Sequence, residues 1–383
     1  MAQEVQVVVA LFTGGISFRG TSRGLLAYAR YNEKILGNRS IILFPRSSPA
    51  NDDVMIAHVR SEVQIVPFND ARELDDVLGS VGADVFFAIK SGHRDGLVPE
   101  RVPSVIRASF PTPVPEWHGS VFAYNSKFLA RRYGDRRTMH IPLIVEDMAN
   151  DGRTSSREAI GLPQDATVVG ILAGDGAFDI PFVRERVIPE ILRRRNDVHF
   201  VFGGVTPFIE HARCHFLGIL HSQVDIQALI AASDAMLHAR LRGETFGLAI
   251  AEFALARVPI ITYSGSRERH HLDVLGDHAL LYANASQLLS ILEALPFSAS
   301  RLDARNAYLT KFNADVVMQE YFAPALEEAR RVGPRLRPLI RPSEVSSLRI
   351  GGRLLLDRMI AKRDGMRIQA SKRRLRSGIS EGA

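Results

Sequence analysis

The chain has 383 residues, of which 46% are hydrophobic, and this length suits two domains with substantial cores. No apolar run is long enough to cross a bilayer, and the first residues lack the basic segment and cleavage site of a signal peptide. The single cysteine, Cys214, excludes an intramolecular disulfide and a cysteine-based zinc site. We therefore expect a cytoplasmic protein.

The net charge of +6 is unevenly distributed along the chain. Residues 331–383 contain 14 Lys/Arg and 4 Asp/Glu, whereas the rest of the chain contains 34 and 38. The body is therefore mildly acidic and the C-terminal tail is basic. Because the basic residues are not interleaved with aromatic ones, nucleic acid is not the expected partner.

Short apolar runs alternate with helical patterns in the first 150 residues, which is typical of β–α–β units around a parallel sheet. Five prolines between positions 99 and 115 predict an irregular connection. The expected strands are 5–12, 40–44, 63–68, 83–89 and 141–145, and the expected helices are 22–36, 71–81 and 121–133.

A polar segment at 147–164 marks a domain boundary, and a second alternating series follows it. We predict an N-terminal Rossmann-like domain at 1–150, a second at 151–310, a closing helix at 311–332 and a basic tail at 333–383. The expected strands of the second series are 167–173, 198–204, 234–239, 258–263 and 279–282, and its helices include 182–195, 224–233, 287–295 and 315–331.

The most specific pattern lies between Arg242 and Ile261. Glu244 and Glu252 are eight residues apart at the start of an expected helix. The N-terminus of a helix presents unpaired N–H groups and a partial positive charge that suit a diphosphate. Carboxylates nearby accept hydrogen bonds from sugar and ribose hydroxyls. The pattern indicates a nucleotide-sugar site, with an ordinary buried helix as the alternative.

Residues 168–295 resemble the C-terminal domain of GT-B-fold retaining glycosyltransferases similar to glycosyltransferase family 4. Glu244 and Glu252 match the E-x7-E pattern of that family, and the run 258–261 follows as in the family. The resemblance implies an α/β GT-B fold with two Rossmann-like α/β domains facing across a cleft. The first domain would bind the acceptor and the second the nucleotide-sugar donor.

The same resemblance implies roles for individual residues. Glu244 would contact the donor sugar as the principal catalytic residue, and Glu252 would contact the ribose. The nucleoside-diphosphate sugar is then a substrate, the partner is a glycan or envelope-type acceptor, and no cofactor is needed. The turn that carries Glu244 supplies further donor-binding candidates, namely Gly243, Thr245, Phe246 and Gly247.

The loop at 172–179 departs from the family pattern. Family members carry a basic pair there, aimed at the diphosphate, but this loop contains Asp175 and Asp179 and no base. Arginine is suited to phosphate because its guanidinium offers several N–H donors. We therefore expect Arg240 and Arg242 to replace the missing pair, with Arg184 as a weaker third; solvated loop arginines are the alternative.

The first domain offers candidates of lower specificity. A glycine loop after the first strand lets the backbone approach a substrate, although the spacing is not GxGxxG. A histidine after the proline-rich segment, at the start of the helix 121–133, is a candidate general base. The candidates are Gly14 and Gly15 for the donor, Arg19, Lys90 and His93 for the acceptor, and His118 for catalysis.

Three function classes remain open at the level of sequence. The leading one is a metal-independent retaining glycosyltransferase, since no Asp-x-Asp triplet or His/carboxylate set has ligand spacing. The second is a sugar-nucleotide epimerase on the same fold. The third is a non-enzymatic two-domain protein that binds a sugar ligand. The missing glycine fingerprint disfavours a Rossmann dehydrogenase.

The tail after Pro334 combines apolar residues at 345–360 with arginines. It is either an amphipathic surface helix interrupted by Gly351-Gly352 or a disordered end. The helix would dock on an anionic membrane surface, where lipid-linked acceptors reside. The expected location is therefore cytoplasmic, peripheral on the inner face of a membrane.

Overall fold

The computed structural model describes residues 6–147, 152–174, 176–297 and 302–380. The chain divides into two compact units. The first comprises the residues up to 146 together with 311–356, and the second comprises 147–310 together with the residues from 357 onward. The segment 311–332, expected as a closing helix, lies in the first unit, and the basic tail is divided between the two.

Strands alternate with helices along the described part of the chain. The strands are β1 Val8–Thr13, β2 Arg39–Pro45, β3 Gln64–Phe68, β4 Val85–Lys90, β5 Ser104–Ala108, β6 Val121–Tyr124, β7 Met139–His140, β8 Thr167–Leu172, β9 Val198–Gly203, β10 Cys214–Phe216, β11 Ala235–His238, β12 Gly243–Glu244, β13 Ile260–Tyr263, β14 Glu268–Arg269 and β15 Ala279–Tyr282.

The helices of the described residues cover both sheets. They are α1 Gly20–Lys34, α2 Asp53–Glu62, α3 Leu74–Ser80, α4 Lys127–Tyr133, α5 Arg153–Ile160, α6 Ile188–Arg194, α7 Gln223–Ala232, α8 Leu248–Leu255, α9 His270–Leu275, α10 Ala285–Glu293, α11 Arg305–Phe312, α12 Ala314–Val317, α13 Ala323–Val332 and α14 Glu344–Ser380. None of them is long and apolar enough to cross a membrane.

The described strands form one parallel sheet in each unit. The first unit has the order β3-β2-β1-β4-β5-β6-β7 and the second β10-β9-β8-β11-β13-β15, with β12 and β14 paired separately. All pairings are parallel. Strands such as β4 and β9 are buried along their whole length, as expected for sheets covered by helices on both faces.

Residues distant in sequence complete the core of the first unit. Phe322, between α12 and α13, stacks on Tyr28 of α1 at a ring-centroid distance of 5.2 Å and lies 4.8 Å from Phe87 of β4. Aromatic pairs of this kind contribute about 1 kcal/mol each beyond the area they bury. The segment 311–356 is therefore an integral part of the first unit.

Three sequence predictions in this unit were wrong. Residues 121–133 form strand β6 followed by α4, because the Ser126 side chain accepts the N–H of Leu129 and caps a helix that begins only after it. The proline-rich stretch contains the buried strand β5. Residues 141–145 have no regular structure, and the short strand β7 lies just before them.

Candidate functional site

Each sheet reverses its strand order at one point. In the second unit β8 is followed in sequence by β9 on one side, while its other neighbour in the sheet is β11. In open parallel sheets ligands bind in the crevice that such a switch creates at the carboxyl ends of the strands. The loops after β8 and β11 begin at this point, so Arg240 and Glu244 lie at the expected ligand edge.

Two glycines shape the turn between β11 and α8. Gly243 has φ of 76° and Gly247 has φ of 88°, a region that side-chain-bearing residues rarely adopt. A Cβ atom at Gly243 would lie 2.1 Å from the carbonyl oxygen of Glu268, and one at Gly247 would lie 3.1 Å from Cβ of Glu244. Both glycines are thus required to place Glu244 just ahead of the N-terminus of α8.

Two basic side chains surround the carboxylate of Glu244. Its Oε1 atom accepts a hydrogen bond from Nη1 of Arg240 at 2.8 Å and lies 3.4 Å from Nε2 of His238. Burial by itself raises the pKa of Glu244, but the His238 hydrogen bond and the Arg240 charge outweigh it and lower the pKa to about 2. Glu244 is therefore an ionised carboxylate, with 23% of its side chain exposed.

His238 is itself held in place from two sides. Its Nδ1 atom lies 2.9 Å from Oγ1 of Thr262 on the neighbouring strand β13. Its ring meets that of His271 edge-on at 4.8 Å between centroids. His271 is fully buried, and this burial lowers its pKa well below the usual value, so it packs against His238 as a neutral ring.

Arg242 is paired with a second glutamate. Nε of Arg242 donates to Oε1 of Glu268 at 2.9 Å, and the short β12–β14 ladder brings the two residues together. Burial raises the pKa of Glu268, and the charge of Arg242 opposes that effect. Both arginines expected at the diphosphate, Arg240 and Arg242, thus engage carboxylates within the second unit.

Helix α8 carries the second glutamate of the pattern. Glu252 lies in the second turn of α8, whereas Glu244 lies on β12 ahead of the helix, and Glu252 is 4% exposed. Gly247 at the N-cap position has no side chain to cap the helix. Thr245 and Phe246 precede Gly247, and the Phe246 ring stacks on that of His270 with 5.4 Å between the ring centroids. The structure thus brings the expected donor residues of this turn together around one helix start.

Arg184, the weaker third candidate for the diphosphate, lies in the helical segment Val183–Val187 that follows the β8 loop. The Arg184 guanidinium lies 4.5 Å from the ring centroid of Phe208, and its Nε atom has no hydrogen-bond partner among the described residues. Burial lowers the pKa of Arg184, and Asp179 opposes that effect. Asp179 accepts the backbone N–H of Leu241 at 2.7 Å, whereas Asp175 lies outside the described residues.

In the first unit the switch point lies between β1 and β4. Gly14 and Gly15 follow β1, and Arg19 is the N-cap residue of α1. Lys90 ends β4, but its ammonium donates to Asp95 at 2.6 Å and to the carbonyl of Leu97, with only 2% of the side chain exposed. Lys90 therefore anchors its own loop.

The two histidines of the first unit lie in different settings. His93 is exposed on the loop after β4. His118 is 1% exposed and precedes the amino end of β6, which is the edge of the sheet opposite to the glycine loop. Burial lowers the pKa of His118. The Lys90 charge also contributes to lowering the pKa of His118, so Lys90 is the first-unit candidate near this histidine.

Sequence reasoning missed several residues of the Glu244 cluster. The described residues contain no group of three or more histidine, cysteine, aspartate or glutamate side chains arranged to hold a metal ion. The sequence does contain a signal for His238, because this polar residue ends the otherwise apolar strand β11. The missed residues are Asp179, His238, Thr262, Glu268 and His271.

Comparison with known proteins identifies the fold. No family model matches the chain, and no curated protein matches it in sequence. Among solved structures, a glycosyltransferase from Rickettsia africae superposes with a TM-score of 0.64 and 12% identity, over 85% of this chain and 99% of that one. HepE of Anabaena in complex with UDP-glucose gives 0.64 and 14%, over 84% and 100%.

An enzyme of another class shares the architecture. A putative UDP-N-acetylglucosamine 2-epimerase from Listeria monocytogenes gives a TM-score of 0.56 at 12% identity, over 88% of this chain and 100% of that one. With its two Rossmann-like units and these neighbours, the chain has the GT-B fold. The predicted fold class is confirmed.

Proposed function

We propose that this protein is a metal-independent retaining glycosyltransferase that transfers a sugar from a nucleoside-diphosphate sugar to a glycan or envelope-type acceptor. The carrying observation is the ionised Glu244 carboxylate, which His238 and Arg240 hold beside the start of α8 at the switch point of the second sheet. The match of Glu244 and Glu252 to the E-x7-E spacing supports the same assignment.

The residues present divide the work between orientation and charge stabilisation. Glu244 accepts hydrogen bonds from donor-sugar hydroxyls and orients the sugar, while Glu252 accepts hydrogen bonds from the ribose hydroxyls. The leaving diphosphate gains negative charge, which the N-terminus of α8 and the Arg184 guanidinium stabilise electrostatically. Arg240 and Arg242 add N–H donors at the same edge, and His238 and Arg240 keep Glu244 ionised.

Nucleotide binding tests the donor site. Thermal unfolding is followed with UDP, GDP, ADP and CMP and with their sugars, beginning with UDP because HepE binds it. One nucleotide raises the midpoint for the wild type, and Glu252→Ala abolishes the shift. Glu190→Ala, which removes a glutamate of α6 from its ion pairs with Arg193 and Arg194, is the matched control and retains it. No shift with any nucleotide contradicts the proposal.

A sugar-nucleotide epimerase is the second candidate, because the Listeria structure has the same architecture. Incubation of the donor sugar nucleotide without acceptor separates the two reactions. An epimerase produces an epimeric sugar nucleotide, whereas a transferase leaves the donor intact or hydrolyses it slowly. An epimer whose formation depends on Glu244 would replace our proposal.

A further inference from the structure

The long helix α14 has a well-defined packed face. Ile350 is fully buried and Leu354 is 9% exposed, and both belong to the apolar core of the first unit. Further along, Asp364 lies 3.7 Å from Arg267 of the second unit and is also buried. With 3.6 residues per turn, these three residues lie on one side of the helix.

The opposite side of α14 carries an apolar stripe. Apart from the adjacent pair Leu355 and Leu356, its members recur at three-, four- and seven-residue intervals, so all of them lie on one face of the helix. Each is between 54% and 79% exposed. The members of this outer stripe are Val345, Leu348, Leu355, Leu356, Met359 and Met366.

Positive charge flanks the outer stripe. Residues 344–376 contain ten Lys/Arg and three Asp/Glu. Of the acids, Asp364 faces Arg267 on the packed side, and the backbone carbonyl of Asp357 also accepts a hydrogen bond from Arg267. The exposed basic residues beside the stripe are Arg349, Arg358, Lys362, Arg363 and Arg367; the side chains of Lys372 and Arg376 lie outside those described.

We propose that α14 binds an anionic phospholipid bilayer through the outer stripe, lying in the plane of the interface. An apolar line rimmed by arginine and lysine is the pattern of interfacial helices, and the basic residues complement acidic headgroups. A second copy of the chain is a poorer occupant, because two such helices would bring like charges together. The proposal does not depend on the reaction proposed above.

Cosedimentation of the full chain with lipid vesicles tests the membrane proposal. The wild type sediments with vesicles of phosphatidylcholine and phosphatidylglycerol, and binding to phosphatidylcholine alone is at least about tenfold weaker. Binding to the anionic vesicles also falls when the ionic strength reaches about 1 M, where the Debye length is about 3 Å. Wild-type protein that fails to sediment with anionic vesicles overturns the proposal.

Matched variants separate the stripe from general hydrophobicity. The triple variant Leu348→Ser, Leu355→Ser, Met359→Ser weakens vesicle binding about tenfold or more, since it removes three exposed apolar side chains of α14. Val54→Ser with Ile219→Ser removes apolar side chains of 69% exposure elsewhere and retains binding. Equal unfolding midpoints show that all variants fold.

Light scattering tests whether a second copy of the chain, instead of a bilayer, binds the outer stripe. If the wild type forms dimers in solution, the triple variant is monomeric, and neither binds vesicles, α14 pairs with a second copy and the membrane proposal is wrong. Vesicle binding by the triple variant equal to that of the wild type overturns it as well.

Discussion

Nδ1 of His238 lies 2.9 Å from Oγ1 of Thr262, and this contact sets the role of the imidazole. Nε2 of the same ring lies 3.4 Å from Oε1 of Glu244, so the imidazole bridges the Thr262 hydroxyl and the carboxylate. His238 is thus a positioning residue. Its contact with Thr262 of β13 fixes where the imidazole meets Glu244, the proposed sugar-binding carboxylate.

Replacing Thr262 tests this arrangement. Thr262→Val removes the hydroxyl and leaves Nδ1 of buried His238 unpaired, at a cost of about 1–3 kcal/mol in unfolding free energy. The loss of orientation lowers kcat/KM about tenfold or more. Thr262→Ser keeps the hydroxyl and retains both stability and turnover. Equal effects of valine and serine would show that packing alone matters here.

The ionisation of Glu244 predicts a pH dependence of stability. Its folded pKa of about 2 lies below the ordinary value of 4.5, so the ionised form stabilises the fold above pH 4.5. That contribution, on the order of 3 kcal/mol, is lost as the pH falls from 4.5 towards 2. Urea unfolding of Glu244→Gln therefore shows a shallower acid dependence in this window. Parallel curves for the variant and the wild type would exclude the effect.

The turn ahead of α8 predicts that one added methyl group at Gly243 strongly lowers the unfolding free energy. Gly243→Ala combines a positive φ with a Cβ contact of 2.1 Å to a backbone oxygen, and we expect it to destabilise the protein by about 3 kcal/mol or more. Gly82→Ala is the control, since Gly82 also has positive φ but open space around it; its cost is about 1 kcal/mol. Comparable midpoints of thermal unfolding for the two variants would contradict the steric argument.

Arg184 predicts a specific loss of nucleotide affinity. Arg184→Gln removes the cation with the unpaired Nε beside the β8 loop, and we expect the Kd of a nucleoside diphosphate to rise about tenfold. The nucleoside without phosphates binds equally well to variant and wild type. Arg186→Gln, an exposed neighbour on the same helix, leaves both constants unchanged. A diphosphate Kd that does not change on Arg184→Gln excludes this contact.

Local sequence patterns predicted most elements of the second unit because its strands are short apolar runs bounded by turns. The strand at 234–239 and the helix after Glu244 are present as β11 and α8. The pairing of Arg240 with Glu244 follows from their closeness in the chain. That of Arg242 with Glu268 does not, because 26 residues separate the partners.

The wrong predictions in the first unit also arose because local sequence does not show which partner a buried charged residue has. β5 was not predicted because Arg107 interrupts its apolar pattern. The charge is tolerated because its Nε donates to the Ile141 carbonyl at 2.7 Å and its guanidinium lies 5.7 Å from the ring centroid of Tyr28. Lys90 looked like an acceptor-side residue because the partner that occupies it, Asp95, lies on a loop whose path no local pattern specifies.

The stacking of Phe322 on Tyr28 and Phe87 has a consequence for synthesis on the ribosome. The strands and helices of residues 6–146 emerge first, but the aromatic ring that covers Tyr28 and Phe87 follows only after residues 147–310 of the second unit have been made. Nascent chains with fewer than 322 residues therefore expose this apolar surface. The first unit begins to fold first but is completed only after residues 147–310 have been made, and chains shortened before Phe322 are aggregation-prone.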